Sequence, residues 1–112
     1  MITNYRNIAE AKVQLKYRGF NKEFSFDLQN GCCRSKGLKY APKDLSIIEY
    51  HRFQGVKAEN NPSIVIALED SSGTKGIMTV HDPIIRNGSF IDFIDTVKIK
   101  LRSNTPRSMS SK

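Results

Sequence analysis

At 112 residues the chain has room for one hydrophobic core and not for two. A hydrophobic content of 38% with 26% charged residues fits a globule in water, and the longest apolar run, Ile64 to Leu68, is far too short for a membrane-spanning helix. The net charge of +7 is uneven: residues 1 to 52 hold ten Lys/Arg against five Asp/Glu, residues 53 to 102 hold six against six, and the last ten residues add two positive charges.

The opening "MITNYRNIAEAK" has neither a basic stretch leading into an apolar one nor a small-residue cleavage site. No signal peptide is therefore expected, no membrane is expected as partner, and the cytoplasm is the expected location. Cys32 and Cys33 are adjacent, which disfavours a disulfide between them, and they match no zinc-ligand spacing with His51 and His81. They read as small strand residues. Neither a metal nor any other cofactor is expected.

Asn7 followed by Glu10 has the spacing of a reciprocal helix cap, and Ile8, Ala11 and Leu15 then fall on one side of a helix that Gly19 would end. "AKVQLKYR" also alternates as a strand does, but the cap and the good helix formers favour a helix over 7–18. In "EFSFDL", Phe24, Phe26 and Leu28 alternate with polar residues, the signature of a strand. Asn30-Gly31 then predicts a two-residue hairpin turn, and the second strand runs from Cys33 toward Leu38 with Gly37 as a bulge.

Residues 45–53 place Leu45, Ile47 and Phe53 on one face and Ile48 and Tyr50 on the other, as in a central strand covered on both sides. "QGVKAENNPS" is polar and aperiodic and reads as a loop. Two β-branched runs, 64–69 and 74–80, then flank Asp70, Ser71, Ser72 and Gly73. Ser89 with Asp92 signals a second cap, and Phe90, Ile94, Val97 and Leu101 recur at helical spacing, with Lys98, Lys100 and Arg102 placed to complement the dipole at the carboxyl-terminal end of a second helix. The final "SNTPRSMSSK" has almost nothing to bury and predicts a disordered basic tail over 103–112.

This order predicts a single α+β domain over 1–102. Its expected form is two-layered: a mostly antiparallel sheet of about five strands, with the N- and C-terminal helices on one face.

The stretch "IVIALEDSSGTKG" superficially resembles a phosphate-cradling loop, with two acids after a strand and then Ser, Gly and Thr. A ribose-phosphate loop would need a longer connection leading into a helix N-terminus. Here only Ser71 to Thr74 separate the acids from the next apolar run, so the stretch predicts a strand-to-strand turn.

The segments "LKYAPKDLSIIEYHRFQG", "NPSIVIALED" and "GTKGIMTV", following a helix that ends "KYRGF", resemble a family of short bacterial proteins of unknown function often labelled phosphoribosylpyrophosphate synthetase. The resemblance covers roughly residues 4 to 102, and Arg52-Phe53-Gln54-Gly55, Asn61-Pro62 and Lys75-Gly76 carry most of it. It departs at Ser63-Ile64, where an acidic run is expected, and at "VHDPI". The resemblance implies a compact helix-plus-antiparallel-sheet domain and no activity.

No catalytic constellation stands out. His81-Asp82 is the nearest to an acid–base pair, yet sequence neighbours on an extended segment point opposite ways; Glu49, His51 and Arg52 would complete a polar pocket with them. Arg34, Lys36, Lys39 and Lys43 form the densest basic stretch, with Tyr40 as an aromatic face for an unpaired base and Lys12, Lys16 and Arg18 as an extension. The plainer reading of that stretch is an edge strand kept from aggregating by its lysines.

The expected function is thus a small non-catalytic binding or accessory module. It would act through a protein partner, self-association or a small ligand at the sheet's open face, near Ile48 and Tyr50. The alternative is a nucleic-acid-binding domain using the basic hairpin.

Overall fold

The computed structural model describes residues 5–53 and 62–99. Most of the loop expected from 54 and the whole of the tail expected over 103–112 lie outside them.

Helix α1 spans Ile8–Tyr17. Asn7 caps it, its side-chain oxygen accepting from the Glu10 amide at 2.8 Å, while the Glu10 carboxylate turns back to the Arg6 amide rather than to that of Asn7. The helix ends in a Schellman motif: Phe20 N–H reaches the Leu15 carbonyl, Gly19 N–H reaches that of Lys16, and Gly19 takes φ +101.

Seven strands follow: β1 (Lys22–Asp27), β2 (Cys32–Ser35), β3 (Leu38–Tyr40), β4 (Leu45–Phe53), β5 (Ser63–Asp70), β6 (Lys75–His81) and β7 (Lys98–Ile99). Helix α2, Gly88–Thr96, lies between β6 and β7. The strands form one sheet in the order β3-β2-β1-β6-β5-β4-β7. β1 runs parallel to β6, and β7 parallel to β4; the other four pairings are antiparallel. The fold is α+β as expected, but the sheet is mixed and has seven strands rather than about five.

The expectation that both helices share one face is corrected. β5 is apolar at successive positions from Ile64 to Leu68, so it is buried on both sides. Ile64, Ile66 and Leu68 pack with Phe90 and Phe93 of α2, together with Phe24, Cys33, Leu45, Ile47, Met78 and Val80. Val65 and Ala67 pack on the other side with Ala11 and Leu15 of α1, together with Phe20, Ile48 and Ile77. The helices therefore cover opposite faces.

Local turn chemistry accounts for most remaining differences. The β1–β2 connection is four residues long, since Asp27 pairs with Cys32; only Gly31 takes positive φ, and the Asp27 carboxylate accepts from the Gln29 and Asn30 amides. The two-residue hairpin sits instead at Lys36-Gly37, with φ of +50 and +81 between the paired Ser35 and Leu38, so Gly37 is a turn residue and not a bulge. The bulge lies in β4, where the register shifts between Ile47 and Glu49. It puts Ile48, Glu49, His51 and Phe53 on the α1 side and sends Tyr50 to the other, splitting the Ile48/Tyr50 pair. β4 lies inside the sheet between β5 and β7 and is covered on both faces, as expected, although β6 occupies the middle of the strand order.

Helix α2 is capped by Asn87, whose side-chain oxygen accepts from the Ser89 and Phe90 amides, rather than by Ser89. It stops at Thr96 because Val97 turns to extended backbone, and Lys98 and Ile99 pair with Ser46 and Ile47. Leu101 lies outside the described residues.

Candidate functional site

β3 forms one margin of the sheet and is only three residues long. Of the basic stretch, Arg34 lies on the neighbouring β2, Lys36 in the turn, Lys39 on β3 and Lys43 in the helical turn Pro42–Asp44 that follows. Of the expected contact residues, Lys36, Lys39 and Lys43 are exposed and make no ion pair among the described residues. Leu38, between the first two, is 59% exposed. In a two-residue hairpin the pair flanking the turn exchanges both backbone hydrogen bonds, so the next pair, Arg34 and Lys39, does not. The N–H and C=O of Lys39 accordingly point away from β2 along the free side of β3.

The other two expected contacts are engaged elsewhere. Arg34 Nε donates to Asp27 Oδ2 at 2.6 Å, and hydrogen bonds from Asn30 and then Arg34 hold the Asp27 carboxyl well below the usual range. Tyr40 is not an available stacking platform, which corrects that expectation: it is only 9% exposed, packs edge-on against Phe24 at 5.3 Å, and accepts a 2.8 Å hydrogen bond from Lys22 Nζ. Its parity with Cys33 and Phe24 turns it into the α2-side core. Lys16 and Arg18 are likewise paired, with Glu23 and Glu49.

The expected polar pocket does not assemble as one set. Glu49 and His51 do meet, with His51 Nε2 2.9 Å from Glu49 Oε1. Arg18 grips the same carboxylate with both terminal nitrogens and also donates to Tyr5 Oη at 2.8 Å, and the Tyr5 ring lies edge-on to His51. Burial pushes the Glu49 pKa up, but the hydrogen bonds from Arg18 and His51 outweigh it and leave the carboxyl below its ordinary value. Arg52 points to the opposite face, beside Ile64. His81 and Asp82 are separate: His81 Nδ1 is 2.7 Å from Ser63 Oγ, while Asp82 accepts two hydrogen bonds from Arg86 at 2.6 and 2.7 Å. The Glu49 network therefore ties both ends of α1 to β4 and has the character of a structural clamp.

No three His, Cys, Asp or Glu side chains are grouped so as to hold a metal among the described residues. Cys33 is fully buried, and burial pushes its thiol up to about 12, so it is inert as a nucleophile at neutral pH. No described helix is long and apolar enough to cross a membrane.

The stretch from Ile64 to Gly76 is a hairpin: β5 and β6 pair antiparallel through Glu69 and Lys75, and Gly73 turns with φ +92. Asp70 organises it. Its Oδ1 accepts from the Ser72 amide, the Ser72 hydroxyl and the Thr74 amide at 2.7 to 3.0 Å. Two amides that a phosphate would require are thus already bound to a carboxylate of the chain itself.

No family model, curated protein or solved structure matches the chain. The functional reading therefore rests on the site alone.

Of the two residues expected at an open sheet face, Ile48 is covered, only 3% exposed beneath α1, while Tyr50, on the other face, is 46% exposed. On the β1–β3 wing, the side bearing Glu23, Ser25, Cys32, Arg34 and Lys39 is polar and needs no cover. The reading of this basic stretch as an edge strand agrees with the place of β3 at the sheet margin, whereas the exposed Leu38 and the turn at Lys36-Gly37 are what sequence reasoning missed.

Proposed function

We propose that the protein is a small non-catalytic binding module whose contact surface is the margin formed by the Lys36-Gly37 turn and β3. The observation carrying this reading is the juxtaposition of exposed Leu38 with Lys36, Lys39 and Lys43, which lack ion pairs among the described residues, along a strand with an outward-facing backbone. An extended acidic segment of a partner protein fits that surface: its backbone would pair with Lys39, an apolar side chain would meet Leu38, and its carboxylates would meet the lysines. Edge-to-edge self-association through β3 is less favoured, because a two-fold pairing would set these lysines against their own copies.

The resemblance to the family of short bacterial proteins implies a compact helix-plus-antiparallel-sheet domain and no activity. A phosphoribosyl-transfer role finds no support at residues 70 to 74, where Asp70 already occupies the turn amides. The nucleic-acid reading retains three lysines without an ion pair among the described residues but has lost its aromatic platform in Tyr40.

Affinity capture from source cells, with protein and nucleic acid measured in the same eluate, tests the reading. A stoichiometric protein should be recovered with the native chain and lost with Leu38→Asp combined with Lys39→Glu. Recovery of nucleic acid instead, lost with Lys39→Glu and Lys43→Glu but retained with Leu38→Asp, would replace it with the nucleic-acid reading.

A further inference from the structure

At the end of the sheet where α1 finishes, the β2–β3 and β5–β6 turns approach one another around a groove of about 710 Å³. Its lining includes Lys22, Lys36 and Lys75, each from a different element, with Gly19, Gly73 and Thr74 between them. We propose that this groove binds a compact phosphate-bearing anion; the site shares Lys36 with the β3 contact surface but not Leu38, Lys39 or Lys43.

Charge is the first support. Lys22 stands at the first position of β1 and Lys75 at the first position of β6, so strand geometry fixes both stems. Lys75 Nζ rests 5.3 Å from the Phe20 ring centre, and Lys22 Nζ is held by Tyr40 Oη at 2.8 Å and lies 3.7 Å from Asp70. The buried Asp70 carboxylate offsets Lys22, and Glu23, also on the lining, faces Lys16 at 3.5 Å, so the charge open to a ligand is that of Lys36 and Lys75, which make no ion pair among the described residues.

Backbone geometry is the second. Among the described residues, Lys36 alone of the non-glycine residues has positive φ, at a turn position where Asn, Asp or Gly is the usual choice. A lysine there bears a conformational cost that its own packing does not offset, since it is exposed and without an ion pair among the described residues. On the rim, Gly19 and Gly73 have open space where a Cβ would stand, so a ligand can approach the main chain closely. A groove of this size falls within the range that holds small ligands, about 300–1,000 Å³, and exceeds what one inorganic phosphate would fill. A nucleotide or sugar phosphate suits it, whether free or as one unit of a strand.

Amide-resolved NMR titration tests the proposal, using inorganic pyrophosphate, adenosine monophosphate and a single-stranded oligonucleotide at constant ionic strength. The proposal predicts saturable shifts centred on Gly19, Lys36, Gly73, Thr74 and Lys75. Combining Lys36→Gly with Lys75→Gln should weaken pyrophosphate by about tenfold, the scale of lost charge-assisted hydrogen bonds. Lys36→Gly suits the turn, so the loss would not be one of folding. Lys98→Gln, at the other margin of the sheet, should change nothing. Tighter oligonucleotide binding with added shifts at Lys39 and Lys43 would identify the phosphate as that of a strand, and its absence would identify a free metabolite; both support the groove. Shifts scattered over all the lysines, or weakened equally by Lys98→Gln, would overturn it. Lys39→Glu should leave pyrophosphate binding unchanged, so failure of the β3 reading and failure of the groove are separable.

Discussion

Gly76 lies directly beside Lys22 in the parallel pairing of β1 with β6. A Cβ added at Gly76 would collide with the Lys22 backbone carbonyl and come within 2.6 Å of the Phe24 ring. This contact joins the β1–β3 wing to the rest of the sheet. Neither neighbour can yield easily, one being backbone and the other a buried core ring. Gly76→Ala should therefore destabilise the fold by about 3 kcal/mol, the upper end of the usual overpacking cost. Urea unfolding measures this, and a loss within error of zero would place β1 elsewhere.

The turn at Lys36 predicts the opposite sign. Its left-handed backbone costs a lysine about 1–2 kcal/mol and glycine nearly nothing. Lys36→Gly should raise stability by about 0.5–1 kcal/mol once the added freedom of the unfolded glycine is counted. A thermal melt of the variant should move up by a few degrees. A downward shift would mean that Lys36 makes a stabilising contact.

Asp70 holds its turn through three hydrogen bonds and an ion pair with Lys22. Burial pushes its pKa up, but the Ser72 hydroxyl, the Thr74 and Ser72 amides and Lys22 bring it below the usual value. Asp70→Ala should cost about 2–3 kcal/mol at neutral pH, because it leaves part-buried donors without a partner. A group whose folded pKa is depressed stabilises fully above its unfolded pKa. The difference between native and variant should therefore be largest above about pH 5 and shrink as the pH falls through and below about 4. A difference that grows on acidification would contradict the assignment.

The Glu49 clamp follows the same sign with a smaller magnitude, since the Arg18 side chain is 42% exposed and solvent screens the pair. Glu49→Gln should cost about 1 kcal/mol at pH 7 and progressively less below about pH 4. Its local consequence should be faster amide exchange in α1, read by hydrogen–deuterium exchange. Unchanged exchange there would mean that the clamp does not fasten the helix.

The sequence discloses the elements that local chemistry specifies. Asn7 and Gly19 bracket α1, and Asp70 to Gly73 reverse the chain between β5 and β6 as expected. Long-range placement was less legible. The unbroken apolar run of β5 is the sign of a strand covered on both faces, but the order of elements alone does not say which helix covers which face. The parallel pairing of β1 with β6 has no local marker except Gly76, whose small size matters only once Lys22 is known to lie beside it. At the candidate site, Lys36, Lys39 and Lys43 stood out by charge. The withdrawal of Tyr40 into the core and of Arg34 onto Asp27 depends on which residues face each other across β2, a register the sequence does not spell out.

The binding reading depends on the free side of β3, and residue-by-residue amide exchange in the isolated protein reports on it most directly. Leu38 and Tyr40 should be protected by β2, while Lys39 between them should exchange at nearly the rate of an open chain. Strong protection of Lys39 would mean that this backbone is already paired, contradicting its availability to a partner.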